Sequence, residues 1–291
     1  MIKKVSTFLE LIKFSHTIFA LPFALISVVL AFNRDAEVLQ DKSGWEIVFW
    51  VIIAMVGARS GAMGFNRLID RKYDAENPRT ANRPSVTGEI SPTIMIVMIV
   101  IAFAILIGAA WQLNLLALKL SPLAIFLVCF YSYTKRVTSY AHLFLGFAIG
   151  CAPVASWIAV TGSVSRASLI LGASVLTWIA GFDVLYALQD YEFDKKAELK
   201  SIPTRFGIRK SLMIAKLLHC ITIALWLHLA VIESLNGIFY LGIGISAILL
   251  FWEHRLLKND DLSKLGTAFF NMNSYISITL LTSVVLDTLI F

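Results

Sequence analysis

Asn66, Asp70 and Asp74 stand four residues apart at the close of a long apolar run, and the same interval returns in Asp190 and Asp194. On a helix that interval stacks side chains on one face, where like charges repel by roughly 0.2 to 0.5 kcal/mol. An arrangement that costs stability calls for another cause. Paired carboxylates with open coordination positions hold Mg2+ against a phosphate-bearing substrate, so a divalent cation is the natural candidate. The first island, NRLIDRKYDAENPRTANRP over 66–84, also carries Arg67, Arg71, Lys72, Arg79 and Arg83. The second, FDVLYALQDYEFDKK, contains Asp183 two helical turns before Asp190, with Tyr186 between them. Asp183, Asp190 and Asp194 can therefore share one face.

Arg59, in GARSGAMGFNR, precedes Asn66 by seven residues and projects along the same face, deeper in the apolar run. Burying it in a bilayer costs at least roughly 2.5 to 3.5 kcal/mol unless a counter-ion or a water cavity receives it. Asp183 is one such structural partner. Gly57, Gly61, Ala62 and Gly64 would let a neighbouring helix or a ligand come close. Lys135 and Arg136, in YSYTKRVT, follow another apolar run and by position read equally well as loop charges.

The elements that must position these residues are membrane spans. Of 291 residues 58% are hydrophobic and only 15% charged, with a mean hydropathy of +0.78; soluble domains carry about a quarter charged residues. Runs of about 17 to 25 apolar residues are expected at 15–33, 45–65, 93–111, 114–132, 141–160, 168–189, 211–231, 236–252 and 267–290. The expected fold is an all-α polytopic bundle of about nine transmembrane helices around a central cavity. One domain would cover 1–291, with a parallel four-helix repeat suggested by the motifs at 66–84 and 183–194.

The net charge of +6 does not point to nucleic acid, because the basic residues lie between spans. With the N-terminus cytoplasmic, 19 Lys and Arg fall on inner segments and four, Arg34, Lys42, Lys119 and Arg166, outside or at the outer boundary. This bias sets orientation. The islands and the Tyr131 to Arg136 segment then follow spans two, four and six, so they return to one face and can converge on a cavity open to the cytoplasm. The basic N-terminus leads into a run of spanning length without a small-residue cleavage pattern and reads as a retained first span. Cys129, Cys151 and Cys220 sit singly in apolar stretches, as packing residues. His16 reads as packing; His142, His219, His228 and His254 show no ligand grouping, so no zinc site is expected.

The two islands resemble the paired aspartate-rich motifs of the UbiA superfamily of intramembrane aromatic prenyltransferases. KFSHTIFALPFAL is similar to that family's first helix, YSYTKRVT to its Tyr/Lys loop, and SIPTRFG to the segment after the second motif, so the likeness covers nearly the whole chain. It implies Mg2+ as cofactor, held by Asp70 and Asp74 with Asn66 assisting, and by Asp190 and Asp194, with Asp183 and Tyr186 facing the cavity. It implies Tyr131 and Lys135 on the diphosphate, Arg136 adding charge, and Arg59 facing an aromatic acid's carboxylate. The expected substrates are a polyprenyl diphosphate and a small aromatic acid drawn from a membrane, most naturally 4-hydroxybenzoate in ubiquinone-type synthesis. The expected location is the bacterial cytoplasmic membrane.

This sequence has Asn66-Arg67 where the best-known 4-hydroxybenzoate enzymes of the family have Asn-Asp, and ALQDYEFD lacks one of their acidic residues. Those departures resemble a subgroup associated with menaquinone synthesis, which makes 1,4-dihydroxy-6-naphthoate the alternative acceptor. A secondary transporter coupled through Arg59 and Asp183 is the alternative of another class. It predicts breaks near the midplane in both halves; Pro22, Pro122 and Pro153 interrupt spans, yet the acids cluster at one face.

Overall fold

The computed structural model describes residues 2–12, 20–34, 42–256 and 265–291, with side chains from 6 in the first segment and from 270 in the last. Lys13, His16, Lys258 and Lys264 lie outside the described residues. The elements are helices: α1 Ile2–Leu11, α2 Leu21–Arg34, α3 Gly44–Ile69, α4 Arg71–Glu76, α5 Pro84–Thr87, α6 Pro92–Leu113, α7 Leu115–Val137, α8 Ala141–Thr161, α9 Arg166–Ala187, α10 Tyr191–Lys196, α11 Ile202–Ile232, α12 Gly237–Leu256 and α13 Leu265–Ile290. In hydrocarbon every backbone amide must bond within its own segment, which leaves the helix as the economical form for such apolar runs. Among the described residues eight helices are long and apolar enough to span a membrane, and α2 is a shorter apolar helix overlapping the first expected span. The protein is an integral membrane protein built as a helical bundle.

Polar residues mark where the spans begin and end. Ser43 and Ser91 accept the N–H of Glu46 and Ile94, and Ser165 and Ser201 each form a reciprocal capping box. The α6–α7 corner turns on Asn114. Its amide nitrogen donates to the carbonyls of Ile158 and Ala159 at 2.7 and 3.1 Å, and its oxygen accepts the N–H of Ala117 at 2.9 Å. Gly207 adopts φ 77°, ψ 166°, which breaks α11 near its start; glycine reaches that conformation without a Cβ penalty.

Close backbone approach sets the pairing of α3 with α6 and of α8 with α9. A Cβ on Gly57 would meet the Ala102 carbonyl at 2.7 Å, which answers the small residues flanking Arg59. A Cβ on Gly150 would lie 2.5 Å from the Gly172 oxygen, and one on Gly172 2.7 Å from the Gly150 oxygen. Backbone cannot give way as a flexible side chain does. Gly150→Ala is therefore expected to lose about 1–3 kcal/mol of stability, read as a lower unfolding midpoint in detergent. Gly108→Ala, with open space at that position, should leave the midpoint unchanged or raise it.

Candidate active site

Each acidic island bends at an aspartate. Asp70 joins α3 to α4 at φ −88°, ψ 3°, and Asp190 closes a 3-10 turn over Leu188–Asp190 and precedes α10 at φ −100°, ψ 6°. The i to i−4 ladder runs on through the first bend, from Asp70 N to Asn66 O at 2.9 Å and from Asp74 N to Asp70 O at 2.8 Å. The interval of four thus survives a change in direction. Asp74 and Asp194 occupy the fourth position of the short helices α4 and α10, and both are buried.

The structure brings the islands together through side chains that the sequence left without individual roles. Arg79 clamps Asp190 with two bonds, Nε to Oδ1 at 2.9 Å and Nη2 to Oδ2 at 2.5 Å, and also donates to the Tyr186 hydroxyl at 3.2 Å. Asn77 adds a bond to Asp190 Oδ1 at 3.0 Å. Arg83 meets Asp74 Oδ1 at 2.6 Å. Arg136 donates to Asp70 Oδ1 at 3.1 Å and to the Ile69 carbonyl at 2.9 Å, with its guanidinium over the rings of Tyr73 and Tyr133. Asn66 donates to Asp70 Oδ2 at 3.0 Å. Arg71 instead bonds the Ser85 carbonyl and secures the loop.

Carboxylates of both islands act on Lys135, whose ammonium is attracted by Asp183, Asp194, Asp70 and Asp190. Tyr131, one turn earlier on α7, is coupled to Arg67, Asp70, Asp183 and Arg59. Burial pushes the Asp70 carboxyl above its ordinary range, against the opposing pull of Lys135 and Arg136. His142 Nδ1 lies 2.7 Å from Asp183 Oδ2, a partner the sequence reading had not considered. Nothing in its spacing announced it: a lone histidine at a span end is ordinarily packing.

Below the polar cluster lies a cavity of about 210 Å³ between α3, α6, α7 and α8. Arg59 and Tyr131 line one end, with Ala62 beside them, Leu113 and Ala117 the other, and Ala58, Ala124, Ala152 and Ala155 lie between. Along α7 the lining runs from Ala117 to Tyr131, about 21 Å of helix rise. Among the described residues no three His, Cys, Asp or Glu side chains gather as a self-sufficient metal site. Asp74 Oδ2 is nevertheless buried without a hydrogen-bond partner, so the oxygen set is open to a cation that brings other ligands with it.

Carboxylates of two islands acting on one lysine, beside an apolar chamber, suit an anionic head on an apolar tail, and the UbiA prenyltransferase family model matches residues 20–275. The chain belongs to this family. It is 30% identical over 241 residues to a 4-hydroxybenzoate octaprenyltransferase of Pseudomonas fluorescens, covering 80% of this chain and 78% of that one. A 4-hydroxybenzoate octaprenyltransferase of an Enterobacter species is 29% identical over 226 residues, 76% of each chain. The apo structure of a UbiA homolog from Aeropyrum pernix superposes with a TM-score of 0.82 at 28% identity, covering 94% of this chain and 98% of that one. A UbiA homolog from Archaeoglobus fulgidus, bound to DMAPP and Mg2+, shares the fold at a TM-score of 0.72 and 19% identity, over 98% of this chain and 100% of that one. This UbiA-family chain is thus a membrane-embedded prenyltransferase, and the family assignment removes the transporter reading.

Proposed function

We propose that the protein transfers a polyprenyl group from its diphosphate to an aromatic acid, 4-hydroxybenzoate in the first instance, as a step of quinone biosynthesis. The observation that carries this reading is the joining of the two acidic islands, with Arg79 of the first clamping Asp190 of the second; carboxylates of both islands pull on Lys135, and the chamber nearby holds Arg59 and Tyr131 at its polar end. The names of the bacterial relatives support the acceptor.

In this reading the apolar chamber takes the tail and Lys135 donates to the diphosphate. Tyr131, beside it, adds a hydroxyl donor. Mg2+ fits the donor set, which is all oxygen and includes the unpartnered Asp74 Oδ2; Asn66, Asp70, Asp74, Asp190 and Asp194 would hold it together with diphosphate oxygens. When bound it supplies neutralisation of the charge that builds on the leaving diphosphate. The alanine and leucine walls exclude water, which would otherwise quench the allylic cation left when the C–O bond breaks. Arg59 offers a planar fork to an aromatic carboxylate, so that the electron-rich ring is presented to the cation.

The distribution of Lys and Arg supports a cytoplasmic N-terminus and a site facing the cytoplasm of a bacterial inner membrane. The matching bends at Asp70 and Asp190 support one domain over 1–291 with a four-helix duplication. The test is a product assay on detergent-purified protein with Mg2+ and a short allylic diphosphate, with 4-hydroxybenzoate and 1,4-dihydroxy-6-naphthoate offered in parallel. Prenylated benzoate, identified by mass, is the expected product. Prenylated naphthoate alone would transfer the enzyme to menaquinone synthesis, and neither product would overturn the aromatic acceptor.

A further inference from the structure

His142 takes no part in the reading above. It is fully buried in the first turn of α8, with Asp183 in front of it as the member of the pair that reaches open space; their side chains are 0% and 17% exposed. His142 Nε2 accepts the N–H of Ile202 at 3.3 Å. That N–H belongs to the first residue of α11, where no partner exists within the helix. With Nε2 accepting, the ring proton resides on Nδ1, and a neutral imidazole donates to Asp183 Oδ2.

Asp183 therefore differs from three of the other carboxylates. Asp70, Asp74 and Asp190 are each tied to an arginine, whereas Asp183 is held by an uncharged ring. It also stands deeper, about 10 Å of helix rise from Asp190, toward the level of Arg59. Arg59 and Tyr131 line the polar end of the chamber, and Tyr131 lies within the electrostatic reach of Asp183 as well as of Arg59.

We propose that Asp183 receives the ring proton released when the arene is prenylated, and that His142 is the positioning residue that holds it for that step. This rests on the aromatic-acceptor reading. A ring carbon bonds to the allylic carbon once the C–O bond to diphosphate has broken. The C–H bond at that ring carbon then breaks, its electron pair restores aromaticity, and the proton passes to Asp183 Oδ1. His142 keeps its own proton on Nδ1 throughout and orients the carboxylate through Oδ2.

The experiment compares turnover of 4-hydroxybenzoate with that of the same compound deuterated beside the hydroxyl, using Mg2+, geranyl diphosphate and detergent-purified protein. Asp183→Asn is expected to lower kcat about 10²- to 10⁴-fold, with little change in acceptor KM and an isotope effect larger than the wild type's. His142→Ala should reproduce both changes in weaker form. His142→Asn, which keeps a donor near the Nδ1 position, should recover most of the loss. Slow variants without an increased isotope effect would overturn the proposal, as would His142→Asn no better than His142→Ala. If Asp183→Asn does not fold, the two His142 variants decide. A wild-type protein that yields no prenylated arene would overturn the acceptor reading and this step with it, before any variant is made.

Discussion

Asp190→Ala is expected to abolish turnover, with a loss of at least about 10³-fold, while the protein still folds. Asp190 is where the loop of the first island docks on the second, through two bonds from Arg79 and one from Asn77. The substitution removes this clamp and also removes an oxygen proposed for the cation. Arg79→Ala separates the two effects, since it opens the same ion pair and leaves the carboxylate. It should reduce turnover by less than Asp190→Ala. Rates with a short allylic diphosphate, measured beside unfolding midpoints, make the comparison. Near wild-type turnover in Asp190→Ala would remove the acidic islands from the chemistry.

The second large effect is expected at Arg59. Arg59→Ala should raise the acceptor's KM on the order of 100-fold, the scale of a charge-assisted bidentate contact, with a smaller change in kcat and in the KM of the prenyl donor. A substitution that moves KM and spares kcat has removed binding common to ground and transition states. Arg59→Lys should recover only part of the loss, because an ammonium lacks the planar fork. Steady-state kinetics with acceptor and donor varied separately provide the check. A rise confined to the donor's KM would reassign Arg59 to the diphosphate or its tail.

The spans were legible because hydrocarbon imposes one rule on every backbone group, and apolar length alone then locates the helices. The expected span at 45–65 runs on to Ile69, and that at 211–231 begins at Ile202, since polar residues continue a helix once it emerges from the apolar layer. The islands were legible for a different reason: carboxylates four apart stay on one side of the chain even where it bends at Asp70. Their neutralisation was not legible. Arg79, Arg83 and Arg136 lie in loops or at a helix end, and which carboxylate each meets depends on how distant segments pack. His142 was hidden for the same reason. Its two partners, Asp183 and Ile202, are 41 and 60 residues away in sequence, and no local pattern encodes such a meeting.

The Asn114 corner carries a consequence for the membrane as an insulator. A chamber that runs along most of a spanning helix would drain any ion gradient across the bilayer if it filled with a continuous file of water. The walls between Arg59 and Leu113 are mainly alanine, leucine and isoleucine, and narrow apolar passages shed water. At the end farthest from Arg59, Asn114 commits both ends of its amide to backbone, bracing α6, α7 and α8 against one another. The fold can thus lodge a long hydrocarbon through much of the bilayer's depth and still keep the two aqueous phases electrically apart.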